Sequence, residues 1–338
     1  MTVLTRRLKR LAGTHSAGAV ARAARREIEL RRAESDLGRA LRSDRPLLVG
    51  PFLGEVGYEL LYWRPFVLRL LRQHGVDRER VTVLSRGGAG TWYRDVAATT
   101  LDAFELASAD EVDAAARRRG SPKQLTVDGL DRMLADRARE RVGDAALVHP
   151  RHMYWRMRFV WEGLVEPGDA ISLADYDDLP RSELPSELEA RLPPHYVAVK
   201  AYFNECLPDT PDVRDALSEI VAAVGEVAPV VLLAAPVSAD VHRDWQAATD
   251  GVIPVVDLLE PASNLAQQAE VVARADALVS PYGGFSYLGP FSGVRTLAFA
   301  RMVEDNPNHY AVLRAVRPQA RFDRVPADAQ AVRRGLSR

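Results

Sequence analysis

Along residues 47–67, LLVGPFLGEVGYELLYWRPFV, the spacing of the apolar positions changes halfway. Leu47, Leu48 and Val49 are consecutive, as in a strand buried on both faces, whereas Leu60, Leu61, Trp63, Phe66 and Val67 recur at helical spacing. Between the two runs lies a loop with Gly50, Gly54 and Gly57, and with Glu55 and Glu59 close by. The same alternation continues downstream. The pattern predicts a helix from Gly57 that Pro65 interrupts, a strand over 80–88, helices over 93–119 and 122–141, and a strand over 145–150. A polar connection over 175–194 then carries four prolines and reads as a boundary. Beyond it the rhythm repeats: strands over 195–203, 229–236, 252–259, 276–281 and 294–299, with helices over 210–227 and 263–275 and a short one over 286–293.

Apolar strands alternating with amphipathic helices specify parallel sheets covered on both faces. At 338 residues the chain exceeds what one hydrophobic core commonly supports. The expected class is therefore α/β, with two Rossmann-like domains facing a cleft and a basic helical arm at the N-terminus. The division reads 1–45 for the arm, 46–185 and 186–315 for the two domains, and 316–338 for a C-terminal tail.

Charge alters this picture only at the N-terminus. The whole chain carries −1, yet residues 1–45 hold 12 Lys and Arg against 5 Asp and Glu, which leaves the body acidic. Val3, Leu4, Leu8 and Leu11 share one side of a helix whose other side bears Arg6, Arg7, Lys9 and Arg10. That arrangement suits an anionic membrane surface, and equally a solvated helical extension. No apolar run is long enough to span a bilayer, and the charged start lacks the apolar core of a signal peptide. The expected location is cytoplasmic, either free or peripheral to the inner face of the membrane. Cys206 is the single cysteine, so neither an intrachain disulfide nor a cysteine-based zinc site is expected. Nucleic acid is not an expected partner of an acidic body.

The strongest local signal is residues 263–299, SNLAQQAEVVARADALVSPYGGFSYLGPFSGVRTLAF. A helix feeds a buried strand whose end opens into Tyr282, Gly283, Gly284 and Phe285, and a second helix begins near Ser286. In open α/β sheets, ligands sit beyond the carboxyl ends of strands, where helix N-termini present unpaired N–H groups. The two glycines would let the backbone approach a diphosphate, and Ser286 would cap the helix or bond a phosphate oxygen. A plain strand-to-helix turn fits the same residues.

This stretch resembles the carboxy-terminal half of GT-B glycosyltransferases, in particular the heptosyltransferase-like enzymes of lipopolysaccharide and capsule synthesis. Pro281, Tyr282 and Gly283 occupy the position of their glycine loop, and Gly293, Thr296 and Phe299 match their last strand. The acidic residue of that loop is absent here. The resemblance implies an acceptor-binding first domain, a nucleotide-sugar-binding second domain, and no metal or other cofactor. Glu55, on its glycine loop, becomes the candidate base for the acceptor hydroxyl, with Glu59 as runner-up; Glu55 also fits a residue that merely complements the helix dipole, and Glu59 one in a solvated first turn. Lys200, at the end of a buried strand, becomes the cation for the departing diphosphate, or else a snorkelling edge lysine. Arg86, from the opposite domain, is a second cation on the acceptor side, or equally a surface salt-bridge partner. Asn264 and Gln268, one helical turn apart, could bond the nucleotide or simply face solvent. Arg151, His152 and Trp155, with Tyr154, would line an acceptor pocket, or form an amphipathic helix. The partners expected are thus a nucleotide-sugar donor and a saccharide or lipid-linked acceptor. Two other readings remain: a polysaccharide pyruvyltransferase or sugar-nucleotide epimerase, and a non-catalytic glycan- or nucleotide-binding subunit.

Overall fold

The structure, a computed structural model, describes residues 17–119, 123–161, 168, 171–203, 207–237, 243–246, 251–301 and 307–337. Val3, Leu4, Leu8 and Leu11, expected to reach a membrane, and Cys206 lie outside the described residues.

Among the described residues the strands form two parallel sheets and one small ribbon. The first sheet contains β1 (Leu47–Val49), β2 (Val81–Ser85), β3 (Thr99–Asp102) and β4 (Ala146–Val148), in the order β3-β2-β1-β4. The second contains β5 (Val197–Lys200), β7 (Val230–Leu233), β9 (Val252–Pro254), β10 (Ala277–Pro281), β11 (Arg295–Ala300) and β12 (Phe322–Pro326), in the order β12-β11-β10-β5-β7-β9. The ribbon pairs β6 (Tyr202–Phe203) with β8 (Arg243–Asp244), antiparallel. Counted within its own unit, the first sheet runs 3-2-1-4 and the second 3-2-1-4-5-6, so both are Rossmann-like with a reversal of strand order beside their first strand.

The continuous apolar runs are explained by which layer each residue enters. Leu47 and Val49 face a central apolar layer while Leu48 faces an outer one. In the second sheet Ala198, Val231, Leu233, Leu278 and Ala298 enter the same central layer, and Val199, Leu232, Val279 and Leu297 the opposite outer one. β1, β2, β5, β7 and β10 are buried on both faces, as parallel strands under helices must be. The two units therefore share one apolar layer, and the cleft is an opening at its edge.

Three expectations change. Residues 93–119, read as helix, include the edge strand β3; Thr99 and Thr100 are exposed there, so a period of two had only Leu101 to signal it. The C-terminal segment is not a tail: β12 pairs with β11, and the helix Ala329–Leu336 packs on the helix Pro211–Gly225. The arm is not independent either. The helix Ala17–Arg42 buries Ala33, Leu37, Ala40 and Leu41 and packs against the helix Arg151–Trp161. Pro65, as expected, interrupts its helix without ending it. The chain runs from Val56–Tyr58 through a π-helical turn, Glu59–Trp63, into Arg64–Gln73, and the wider turn accommodates a ring that offers no N–H.

Candidate functional site

A cleft of about 260 Å³ opens where the two units meet. Its lining follows the carboxyl ends of six parallel strands: Glu55 and Val56 after β1, Arg86 after β2, Lys200 at the end of β5, Ala235 to Val237 after β7, Asn264, Leu265 and Gln268 after β9, and Gly284 and Phe285 after β10. Tyr202, Arg243 and Asp244 come from the ribbon, and Gln246 follows it.

The wall from the first unit is a braced loop. Gly50 N donates to Val148 O (2.9 Å) and Phe52 N to Leu84 O (3.1 Å), tying the loop to both neighbouring strands. Buried Gln124 holds it again, donating to Pro51 O (2.8 Å) and accepting from Leu53 N (2.9 Å). Gln124 is fixed in turn by Asp131 (3.0 Å), which also accepts from Arg119 and bonds His149. Arg86 donates to Gly54 O from Nη2 (2.6 Å) and Nε (3.2 Å). Together these bonds set Glu55, half-buried, at the N-cap of the helix with an extended backbone (φ −64°, ψ 145°) and no side-chain capping bond. Glu55 lines the cleft without capping its own helix, and its charge helps to raise the nearby Tyr58 and Tyr154 hydroxyls.

Glu59 lies elsewhere. The π-helical turn carries it into the core, where it is fully buried and accepts a hydrogen bond from Tyr93 (2.9 Å). Burial pushes its carboxyl up to about 7, against the opposing pull of Arg86, Tyr93 and Arg64. It does not line the cleft.

The second wall is a chain of polar contacts. Lys200 Nζ donates to Asp244 Oδ2 (2.6 Å) and Gln268 Oε1 (3.2 Å) and stands 5.3 Å from the centre of the Phe285 ring. Gln268 donates to Asn264 Oδ1 (3.0 Å), and Asn264 donates to Pro261 O (2.8 Å). Asn264 and Gln268 are therefore buried members of an internal network, not solvent-facing groups. Asp244 Oδ2 also accepts from Ala235 N (2.6 Å).

The glycine loop divides. Gly284 and Phe285 line the cleft, but Tyr282, Gly283 and Ser286 do not. A Cβ on Gly283 would stand 2.6 Å from the Tyr202 hydroxyl, so that residue is covered. Ser286 is fully buried and donates to Gly283 O (2.7 Å), closing its own turn. Tyr282 packs edge-on against Tyr287 and Phe322.

The expected acceptor pocket over 149–158 is a docking surface for the N-terminal helix. Arg151 pairs with Asp36 and Arg156 with Glu34. His152 is 2% exposed, and burial beside Arg151 depresses its imidazole to about 3. Trp155 Nε1 donates to Leu125 O (3.0 Å). None of the three lines the cleft. Arg151 and Arg156 thus hold the N-terminal helix and Trp155 is tied to Leu125, roles that composition alone does not separate from sugar binding.

Sequence reasoning missed Gln124, Tyr202, Arg243 and Asp244. A single glutamine has no pattern, and a ribbon of two-residue strands is too short to show a period. Among the described residues no group of three or more His, Cys, Asp or Glu is placed to hold a metal ion, and no helix is long and apolar enough to cross a membrane.

No protein-family model and no curated protein matches the chain. Solved structures resemble it in fold. They include Escherichia coli ADP-heptose lipopolysaccharide heptosyltransferase II (10% identity, 87% of this chain and 97% of that one, TM-score 0.47). A glycosyltransferase of family 9 from Veillonella parvula is 12% identical over 85% of this chain and 87% of that one, with a TM-score of 0.45. The iron-containing dodecameric glycosyltransferase TibC of enterotoxigenic E. coli is 12% identical over 76% of this chain, with a TM-score of 0.43, and only 58% of TibC is spanned. Identities and TM-scores this low bring no activity across, so function has to come from the cleft itself.

Proposed function

We propose that the cleft binds a nucleotide-activated sugar and passes the sugar to a hydroxyl-bearing saccharide or lipid-linked acceptor, without a metal ion and with inversion, in cell-envelope polysaccharide synthesis. One observation carries this reading: the carboxyl ends of strands from two Rossmann-like sheets enter one cleft, and they bring a carboxylate from one side and a lysine with a glycine turn from the other. A parallel sheet of this order offers its ligand site at that edge. Two such edges facing each other suit two substrates.

The chemistry follows from the two walls. Glu55 takes the proton of the acceptor hydroxyl as its oxygen forms a bond to the anomeric carbon, and the bond from that carbon to the diphosphate breaks. Negative charge then grows on the leaving diphosphate. Lys200 and the backbone around Gly284 offset it. In this reading the first unit receives the acceptor, with Arg86 at its edge, and the second receives the donor. The basic N-terminal residues would place the reaction at the inner face of the membrane.

The test is product mass after incubation with a panel of nucleotide sugars and lipid-linked or free saccharide acceptors. An added glycosyl mass supports the proposal. An added pyruvyl mass, a donor isomerised without change of mass, or nucleotide binding with no donor consumed would each reject it.

A further inference from the structure

We propose that Asp244 is an internal stand-in for a phosphate oxygen of the ligand: its carboxylate fills an anion seat on the cleft floor, and a diphosphate binds by taking that seat as the Asp244 side chain swings out. The inference rests on the cleft being a diphosphate site and names how that site is held in the absence of ligand.

The seat is built by two donors on one oxygen. Lys200 Nζ and the Ala235 amide each stand 2.6 Å from Asp244 Oδ2, distances of charge-assisted hydrogen bonds. Lys200 ends β5, and Ala235 follows β7, the strand paired with it in the register Lys200↔Leu233. The donors therefore lie at adjacent carboxyl ends, next to the reversal of strand order between β5 and β10, where this architecture binds ligand anions.

Asp244 reaches the seat from outside the sheet. It belongs to the ribbon, whose backbone is anchored separately by Trp245 N donating to Ala201 O (2.9 Å) and by the buried Trp245 side chain. The carboxylate can leave without carrying the ribbon away. A lysine side chain only 7% exposed needs a counter-charge, and Asp244 supplies it until a ligand does. The Ala235 amide has one N–H, already given to Asp244 Oδ2, so ion pair and ligand compete for the seat.

The test is calorimetric titration of the whole protein with pyrophosphate, alongside thermal melting, for wild type, Asp244→Asn and Lys200→Met. Without ligand, D244N should melt below wild type, because Lys200 loses its partner. It should bind pyrophosphate about tenfold more tightly and recover its melting point, whereas K200M should lose binding. Equal or weaker binding by D244N, or no binding by either protein, overturns the proposal. Should D244N fail to fold, a crystal structure of wild type with pyrophosphate decides. A phosphate oxygen on Lys200 Nζ and Ala235 N supports the seat, and a bound pyrophosphate with the Lys200–Asp244 pair intact overturns it. Sugar transfer is measured separately. A seat without transfer rejects only the proposed function, and transfer with unchanged D244N affinity rejects only the seat.

Discussion

Gly57 of the first unit and Gly284 of the second meet backbone to backbone: a Cβ on Gly57 would lie 2.7 Å from Gly284 Cα, and one on Gly284 would lie 2.9 Å from Gly57 N. Neither residue has a left-handed backbone, so space, not conformation, demands glycine at both. The contact sits directly behind Glu55 on one side and the glycine turn on the other, and it sets how closely the two walls approach. Gly57→Ala should therefore cost about 1–3 kcal/mol in urea unfolding, because the opposing atom is backbone and cannot rotate aside. It should also abolish thermal stabilisation by nucleoside diphosphates. Gly129→Ala is the control: a Cβ there meets nothing within 4 Å, and its melting point should hold or rise.

Glu55→Gln should lower turnover by about 10²- to 10⁴-fold, the usual worth of a positioned general base, and leave nucleotide affinity within error. The loop bracing by Gln124 and Arg86 does not involve the Glu55 side chain. Steady-state kinetics with a nucleotide-binding isotherm checks both halves. Unchanged turnover removes Glu55 as the base.

The strands and the cleft edge were largely legible in the sequence because parallel strands announce themselves as apolar runs and ligand loops follow them. Glu55, Arg86, Lys200, Asn264, Gln268, Gly284 and Phe285 each sit at or after such a run, and each reaches the cleft. Glu59 was not legible. Its offset of four from Glu55 implies a shared face only in a regular α-helix, and the π-helical turn breaks that regularity. Asp244 was hidden for another reason: its importance comes from Lys200, 44 residues away, and nothing local records the pairing.

Arg151→Ala should leave turnover and the KM for acceptor unchanged, since Arg151 pairs with Asp36 of the N-terminal helix and lies off the cleft. Both side chains are about a third exposed, so solvent screening limits the loss of stability to at most about 1 kcal/mol. Trp155→Ala should destabilise more, as it removes both packing and the bond to Leu125 O. Thermal melting and acceptor saturation curves separate the two effects. A raised KM in R151A would return that residue to the acceptor site.

The pH dependence of stability should carry the signature of Glu59. Tyr93, Arg64, Arg86 and Asp102 surround its carboxyl, and burial outweighs the two arginines, raising it from an ordinary value of 4.5 to about 7. The folded protein thus holds this proton more tightly than the unfolded chain. Its contribution is complete below about pH 4.5 and is lost as pH rises through about 7. Glu59→Gln keeps the side chain neutral at every pH, so its stability relative to wild type should climb between pH 4.5 and 7 and level off above, by on the order of 3 kcal/mol. Asp102 is raised to about 6, chiefly by burial, but is present in both proteins, so most of its titration cancels in the difference. Urea unfolding of the pair at pH 5 and pH 8 measures the effect. A gap that stays flat across that range would mean Glu59 is ionised in its pocket throughout, with Arg86 and Arg64 outweighing burial.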